Sequence, residues 1–233
     1  MRQYIIINGT SSLTISGLAI KLLPPISKPA MRVMREEIDG RNGDITTELG
    51  FQSYDKQLQI GLFGTFDINQ VIKFFNQKGT IVFSDEDDKY YNFDISDGID
   101  FEKLVKFREA TITIHCQPFK YPLTNNPVSL VAGSNTITNA GNIYSKPLLT
   151  ISGSGTISVS LNGSQIFSID MSEIQTIAID TDLLEAYNPN TGVLYNRYIT
   201  GDISKFALEV GNNTIAISGS LGTSTIKNIS RWL

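Results

Sequence analysis

The chain of 233 residues contains one cysteine, one histidine and one tryptophan, and each scarcity closes a class of chemistry. A lone Cys116 rules out an internal disulfide framework, so the fold has to stand on packing. One histidine and one cysteine cannot build a usual zinc site. His115 is the only histidine available to a catalytic dyad, and its neighbour Cys116 falls in the same predicted strand, residues 110–116. Consecutive strand residues point to opposite faces, so these two side chains cannot act together. No G-x-S-x-G elbow exists to recruit a serine. No apolar run approaches the roughly 20 residues of a membrane span. Tyr4-Ile5-Ile6-Ile7 is too short for an export signal and runs at once into Asn8-Gly9-Thr10, so it reads as a strand. Basic runs are missing too. With 19 basic against 23 acidic residues and a net charge of -4, the chain lacks the concentrated positive surface of a nucleic-acid binder. The expectation is a protein with no catalytic, metal or cofactor site.

What is present is β-patterned. The first half opens with the strand just named, and alternation around Leu13 and Ile15 predicts a second across residues 12–20. Pro24, Pro25 and Pro29 impose an extended connector. Residues 54–63 alternate with period two and place Leu58, Ile60 and Leu62 on one face, the mark of a core strand. One helix stands out, residues 68–78. Asp67 is suited to cap it, Gln70 completes a capping box, Phe66 can staple onto Val71, and Gly79 is placed to stop it. Val71, Ile72, Phe74 and Phe75 form an apolar stripe for packing on a sheet. Strands at 80–83, 90–93 and 110–116 complete a mixed unit, with a short helical turn near residues 99–104.

Composition changes near Pro122. Of the 42 charged residues, 30 lie in 1–122 and 12 in 123–233, and the second half is rich in Ser, Thr, Asn and Gly. A domain boundary is expected between Pro118 and Pro127, with Pro118 and Pro122 in the connecting stretch. The domains are therefore residues 1–122, an α+β domain with one helix, and 123–233, an antiparallel β-sandwich, plausibly a jelly roll. Within the latter, strands are predicted at 135–138, 147–151, 156–161, 165–169, 176–180, 214–218 and 225–229. Asn162-Gly163 calls for a type I′ hairpin turn. Gly153-Ser154-Gly155 precedes a strand rather than a helix, so it reads as a turn and not a phosphate cradle.

Three candidate sites were weighed against plain structural roles. Asp85-Glu86-Asp87-Asp88 places four carboxylates in a row, but the alternate spacing and the glutamate of a calcium loop are missing, so a solvated hairpin turn is expected. Tyr187, Tyr195 and Tyr198 are the aromatic candidates for a saccharide platform, with half-buried packing as the plainer role; Trp232 sits at the C-terminus. A pair of distant carboxylates could make a glycosidase, and nothing in the sequence points to one.

Residues 35–50 remain. Asp39-Gly40 and Asn42-Gly43 signal turns between polar strands, and only Ile38, Ile45 and Leu49 are large and apolar, so neither face offers a stripe to anchor the hairpin on its own domain. An isolated two-stranded ribbon is marginal in water. The alternatives are a mobile surface loop and an ordered ribbon held by a third strand or by a neighbouring molecule.

Read together in order and spacing, residues 35–43, Tyr54, residues 101–121 with His115-Cys116-Gln117-Pro118-Phe119 near their end, Asn139-Ala140-Gly141-Asn142, residues 147–155, the Leu161-Asn162-Gly163 hairpin, Ile177-Ala178-Ile179-Asp180, residues 196–202 and residues 211–219 resemble the distal tail proteins (Dit) of long-tailed, non-contractile phages. The resemblance implies a structural, non-enzymatic virion subunit at the tail tip, made in the host bacterial cytoplasm. Its N-terminal domains would form a homohexameric ring beneath the tail tube protein, with the hairpin as an arm on the next subunit. The arm residues would include Arg35, Glu36, Ile38, Arg41, Asn42, Asp44 and Ile45. The galectin-like C-terminal domain would dock the tail-tip hub or tail-associated lysin protein and receptor-binding or baseplate proteins. DNA would pass through the lumen without specific binding. No inserted carbohydrate-binding module is evident; the alternative is a sandwich that itself attaches the phage to cell-wall saccharide.

Overall fold

Alternation with period two turns Leu58, Ile60 and Leu62 to one side of a strand, and the same pattern in Ile5/Ile7, Tyr91/Phe93 and Ile112/Ile114 supplies the rest of a buried sheet face. The computed structural model describes residues 2–233, which divide into two compact units, 2–123 with Leu233, and 124–232. In the first, the chain runs β1 (Ile5–Ile7), β2 (Thr10–Ser11), β3 (Leu18–Leu22), β4 (Met31–Glu37), β5 (Asp44–Phe51), β6 (Tyr54–Leu62), α1 (Ile68–Phe75), β7 (Gly79–Phe83), β8 (Lys89–Asp94), α2 (Phe101–Phe107) and β9 (Glu109–Pro122). Seven strands form one antiparallel sheet in the order β2-β1-β7-β8-β9-β6-β3, while β4 and β5 pair only with each other.

Helix α1 buries Val71, Phe74 and Phe75, and the Asp67 carboxylate accepts from the Asn69 N–H at 2.9 Å, as its capping position predicts. It ends earlier than expected. Gln77 Nε2 donates to the Lys73 and Phe74 carbonyls at 3.2 and 3.1 Å, satisfying the last turn with a side chain, and Gly79 at φ 136° opens β7 instead of stopping the helix. The short helical turn expected near residue 100 is a second helix, α2. Asp100 caps its start through the Lys103 N–H at 2.8 Å, and Arg108 closes it in the left-handed conformation at φ 62°. Leu104 on it is fully buried and Phe101 packs partly against the same core, while Val105 and Phe107 are exposed.

Two further segments differ from expectation. Residues 12–14 form a 3-10 turn rather than a strand, because the Ser12 hydroxyl accepts from the Ile5 N–H at 3.1 Å and the Ser11 hydroxyl from the Leu13 N–H at 3.3 Å. β9 continues through Pro118 to Pro122 instead of releasing a connector there. Its register against β8 jumps from Phe93↔Cys116 to Tyr91↔Lys120, and Pro118 lies inside this bulge, where no ladder donor is required. The acidic segment between β7 and β8 is a turn, but it is not wholly solvated: Glu86 reaches in to the nearly buried Lys120 at 2.8 Å.

The second unit contains β10 (Val128–Leu130), β11 (Gly133–Asn139), β12 (Leu148–Leu161), β13 (Ser164–Asp170), β14 (Thr176–Asp180), β15 (Glu185–Tyr187), β16 (Ile199–Gly201), β17 (Gly211–Leu221) and β18 (Ser224–Lys227). It is an antiparallel sandwich organised around one strand. The first part of β12 pairs with β14 and β18, its last part with β13 and β17, so a single strand serves both sheets. Leu149, Ile151, Ile177, Ile179 and Ile226 meet Ile157, Val159, Phe167, Ile169, Ile215 and Ile217 in one core. The predicted turn at Gly153-Ser154-Gly155 is therefore the corner inside β12, where the register against β17 shifts between Ser154 and Ser158. Asn162 and Gly163, at φ 50° and 87°, make the hairpin turn that the dipeptide predicts.

The corner depends on backbone lying against backbone. Gly219 has φ 117°, and a Cβ there would stand 2.5 Å from the Thr156 carbonyl oxygen, whereas Gly155 at φ 68° faces open space. Gly219→Ala is expected to destabilise the second unit by about 3 kcal/mol and Gly155→Ala by about 1 kcal/mol. Calorimetry of the two variants checks the order; equal melting temperatures would refute the close-approach account.

Candidate functional site

The β4–β5 ribbon is the one element of the first unit that buries almost nothing. From Arg32 to Leu49 every residue is exposed. The seven residues expected in an arm all lie on it: Arg35 and Glu36 on β4, Ile38, Arg41 and Asn42 in the loop, Asp44 and Ile45 on β5. Gly40 and Gly43, at φ 80° and 81°, let the loop reverse, and the Arg41 N–H donates to the Ile38 carbonyl at 3.0 Å. Arg35 Nε stands 3.5 Å from Asp44 Oδ2, an exposed pair that orders the ribbon end weakly. Glu36 lies directly across from Ile45.

The register corrects one expectation from sequence. Met34 pairs with Thr47 and Glu36 with Ile45, and alternation adds Leu49 to the same side, so one face does carry an apolar stripe of Met34, Ile45 and Leu49. These side chains are 45%, 37% and 51% exposed. Met34 lies just outside residues 35–50, so the polar stretch by itself does not show it. The opposite face presents Val33, Arg35 and Glu37 with Asp44, Thr46 and Glu48.

The ribbon's root, by contrast, is tightly held. The Gln52 N–H donates to the Ala30 carbonyl at 2.8 Å, and Phe51 packs edge-on against Phe119 of β9 with ring centroids 5.6 Å apart. Lys56 Nζ donates to the Pro25 carbonyl at 3.1 Å, and the Tyr54 hydroxyl reaches the Ser27 carbonyl at 3.4 Å, so β6 grips the proline connector that feeds β4. Lys56 is only 4% exposed and lies about 5 Å from the Tyr54 and Tyr91 ring centroids. Burial lowers its pKa, and burial likewise raises that of Tyr91. The sequence did hold a signal for Lys56, since it shares the inward parity of Leu58 and Ile60, but a lysine there invites the reading of an outward residue.

The other candidates do not assemble into sites. His115 is half-buried with Nδ1 2.7 Å from Asp55 Oδ1, and Cys116 is fully buried on the opposite face, so the adjacent pair stays apart as its strand geometry predicts. Tyr195 and Tyr198 meet edge-on at 5.4 Å, the Arg197 guanidinium covers the Tyr198 ring at 4.7 Å, and Tyr187 lies on β15, paired with Ala178. Among the described residues, no three His, Cys, Asp or Glu side chains gather as metal ligands, and no helix is long and apolar enough to cross a membrane.

No family model and no curated protein sequence matches the chain. Solved structures do. The Dit protein of phage SPP1, described as a paradigm of the hub adsorption apparatus in phages infecting Gram-positive bacteria, matches over 100% of both chains with a TM-score of 0.73 at 16% identity. This chain has the fold of that Dit protein. A chain of the phage P2 baseplate in its activated conformation with calcium matches over 98% of this chain and 97% of its own, with a TM-score of 0.51 at 13% identity. The strontium form of that baseplate gives a TM-score of 0.50 at 12% identity, over 97% of each chain. At such low identity the likeness is one of fold, and it agrees with the resemblance to Dit drawn from the residues.

Burial in the first core yields a pH prediction. Desolvation pushes the Cys116 thiol up to about 12 from an ordinary 9.0. Above pH 9 the unfolded chain loses that proton while the folded chain keeps it, so stability falls as pH rises from 9 towards 12. Cys116→Val removes this contribution, and its stability relative to the parent should improve by about 1 kcal/mol per pH unit across that window. Urea unfolding at pH 8, 10 and 11 measures the gap; a constant gap would refute it.

Proposed function

We propose that this chain is a structural subunit of a phage tail, a distal tail protein of the Dit type that closes into a homohexameric ring through its first unit. The ribbon carries the reading: an ordered, firmly rooted element with an apolar stripe and no cover within its own unit. Cyclic assembly by head-to-tail contact puts such an element on a different surface of the next copy. A water-facing ribbon with no partner would instead be held by little more than its own ladder, which is marginal.

In this reading the ring sits at the virion tail tip, under the tail tube protein. The second unit offers a platform for the tail-tip hub or lysin protein and for receptor-binding components. The protein performs no reaction of its own. Viral DNA crosses the lumen without specific contact, in keeping with a net charge of -4. The fold shared with the SPP1 Dit protein and the phage P2 baseplate chain supports a place in such an assembly.

Removing residues 39–44, with the strands rejoined through a two-residue Asn-Gly turn, is expected to leave a folded protein of monomer mass. Light scattering beside the parent protein decides the matter: an unchanged ring mass would refute the arm.

A further inference from the structure

The arm needs a seat, and one surface of the first unit has the matching chemistry. Phe107 is 60% exposed at the end of α2. Lys103 and Lys106 precede it by four residues and by one, and Lys103 and Phe107 share a helix flank. Neither lysine forms an ion pair among the described residues; Lys106 Nζ instead lies 5.5 Å from the Phe107 ring centroid. Beside them is a shallow depression of about 270 Å³ lined by Lys21, Lys103, Gln59 and Thr111, with Glu109 bound to Lys21. Lys21, Lys103 and Lys106 against Glu102 and Glu109 leave this patch with an excess of one positive charge.

The ribbon is its complement. Residues 35–48 carry Arg35 and Arg41 against Glu36, Glu37, Asp39, Asp44 and Glu48, an excess of negative charge. Glu36 sits at the tip end of the face that bears Met34, Ile45 and Leu49. An apolar stripe beside an acid matches an exposed aromatic beside two unpaired lysines, and opposite potentials set the register of such a contact. Seven residues of strand reach about 23 Å beyond the root, far enough to span to another copy.

We infer that the occupant of the α2 surface is the ribbon of a second copy of this chain, with Ile45 and Leu49 against Phe107 and Glu36 facing Lys103 and Lys106. The inference rests on the ribbon being an arm and adds where it lands. It also accounts for a short helix that buries only Leu104 while displaying a phenylalanine to water.

Full-length chains carrying Ile45→Cys and Phe107→Cys separately, mixed and treated with a short bis-maleimide, test the seat. The native Cys116 is buried and does not compete. A cross-linked dimer in the mixture, absent from either variant alone, is the expected result. Phe107→Asp should raise the concentration for half-assembly by at least about tenfold, as loss of a central aromatic anchor does. Glu36→Lys should weaken assembly likewise, and adding Lys103→Glu with Lys106→Glu on the same chain should restore it. Assembly unaffected by Phe107→Asp, with no mixed dimer, would overturn the seat while leaving the arm intact. Ring mass unchanged when residues 39–44 are removed would instead overturn the arm itself. A parent protein that stays at 25.7 kDa at every concentration and yields no mixed dimer overturns both.

Discussion

A two-stranded ribbon satisfies only the hydrogen bonds between its strands; both outer edges and both faces are left to water or to another chain. The β4–β5 hairpin lives under this constraint, and the first unit is arranged to accommodate it. Its root is fixed where Lys56, Tyr54 and Phe119 hold the connector and the last residue of β5. Beyond the root nothing in the unit touches the stripe of Met34, Ile45 and Leu49 enough to cover it. Rigidity at the base with exposure along the length is what a projecting contact element requires, since a fixed direction reduces the conformational freedom lost on binding.

The root in turn depends on an uncommon use of the core. Lys56 occupies an inward position on β6, among Tyr54, Tyr91 and Phe83, where a hydrocarbon side chain would be the ordinary choice. Desolvation disfavours its charge, and the Pro25 carbonyl with the surrounding ring faces offsets part of that cost. Glu86 and Lys120 add a second polar contact at 2.8 Å near the same rings. Such buried polar groups favour one arrangement over its competitors, because any displacement leaves them unpaired. The connector is thereby held in one path.

The second unit meets a different constraint, the need for one chain to serve two sheets. β12 does this by bending at Gly153–Gly155, and the neighbouring turn of β17 is possible only because Gly219 has no side chain. Gly153-Ser154-Gly155 reads locally as a turn, and the tertiary partners make it a corner. A similar reversal of meaning affects Pro118, which reads locally as a breaker and lies within a strand, because the bulge opposite β8 asks for no donor there.

Local rules determined what depends on near neighbours. The alternation of Leu58, Ile60 and Leu62, the cap at Asp67, the Asn162-Gly163 turn and the opposite facing of His115 and Cys116 all follow from backbone periodicity and sterics within a few residues. The want of histidine and cysteine likewise limited the chemistry before any fold was known. Tertiary structure decided which side of each strand is covered, because that cover comes from other elements of the chain. It turned Lys56 inward, ran β9 and β12 through their breakers, and set Met34 beside Ile45 and Leu49, a grouping that exists only once β4 and β5 are in register. The ribbon's weak self-burial was readable in its composition; the face it offers to another molecule was not, since pairing register is a property of two strands together.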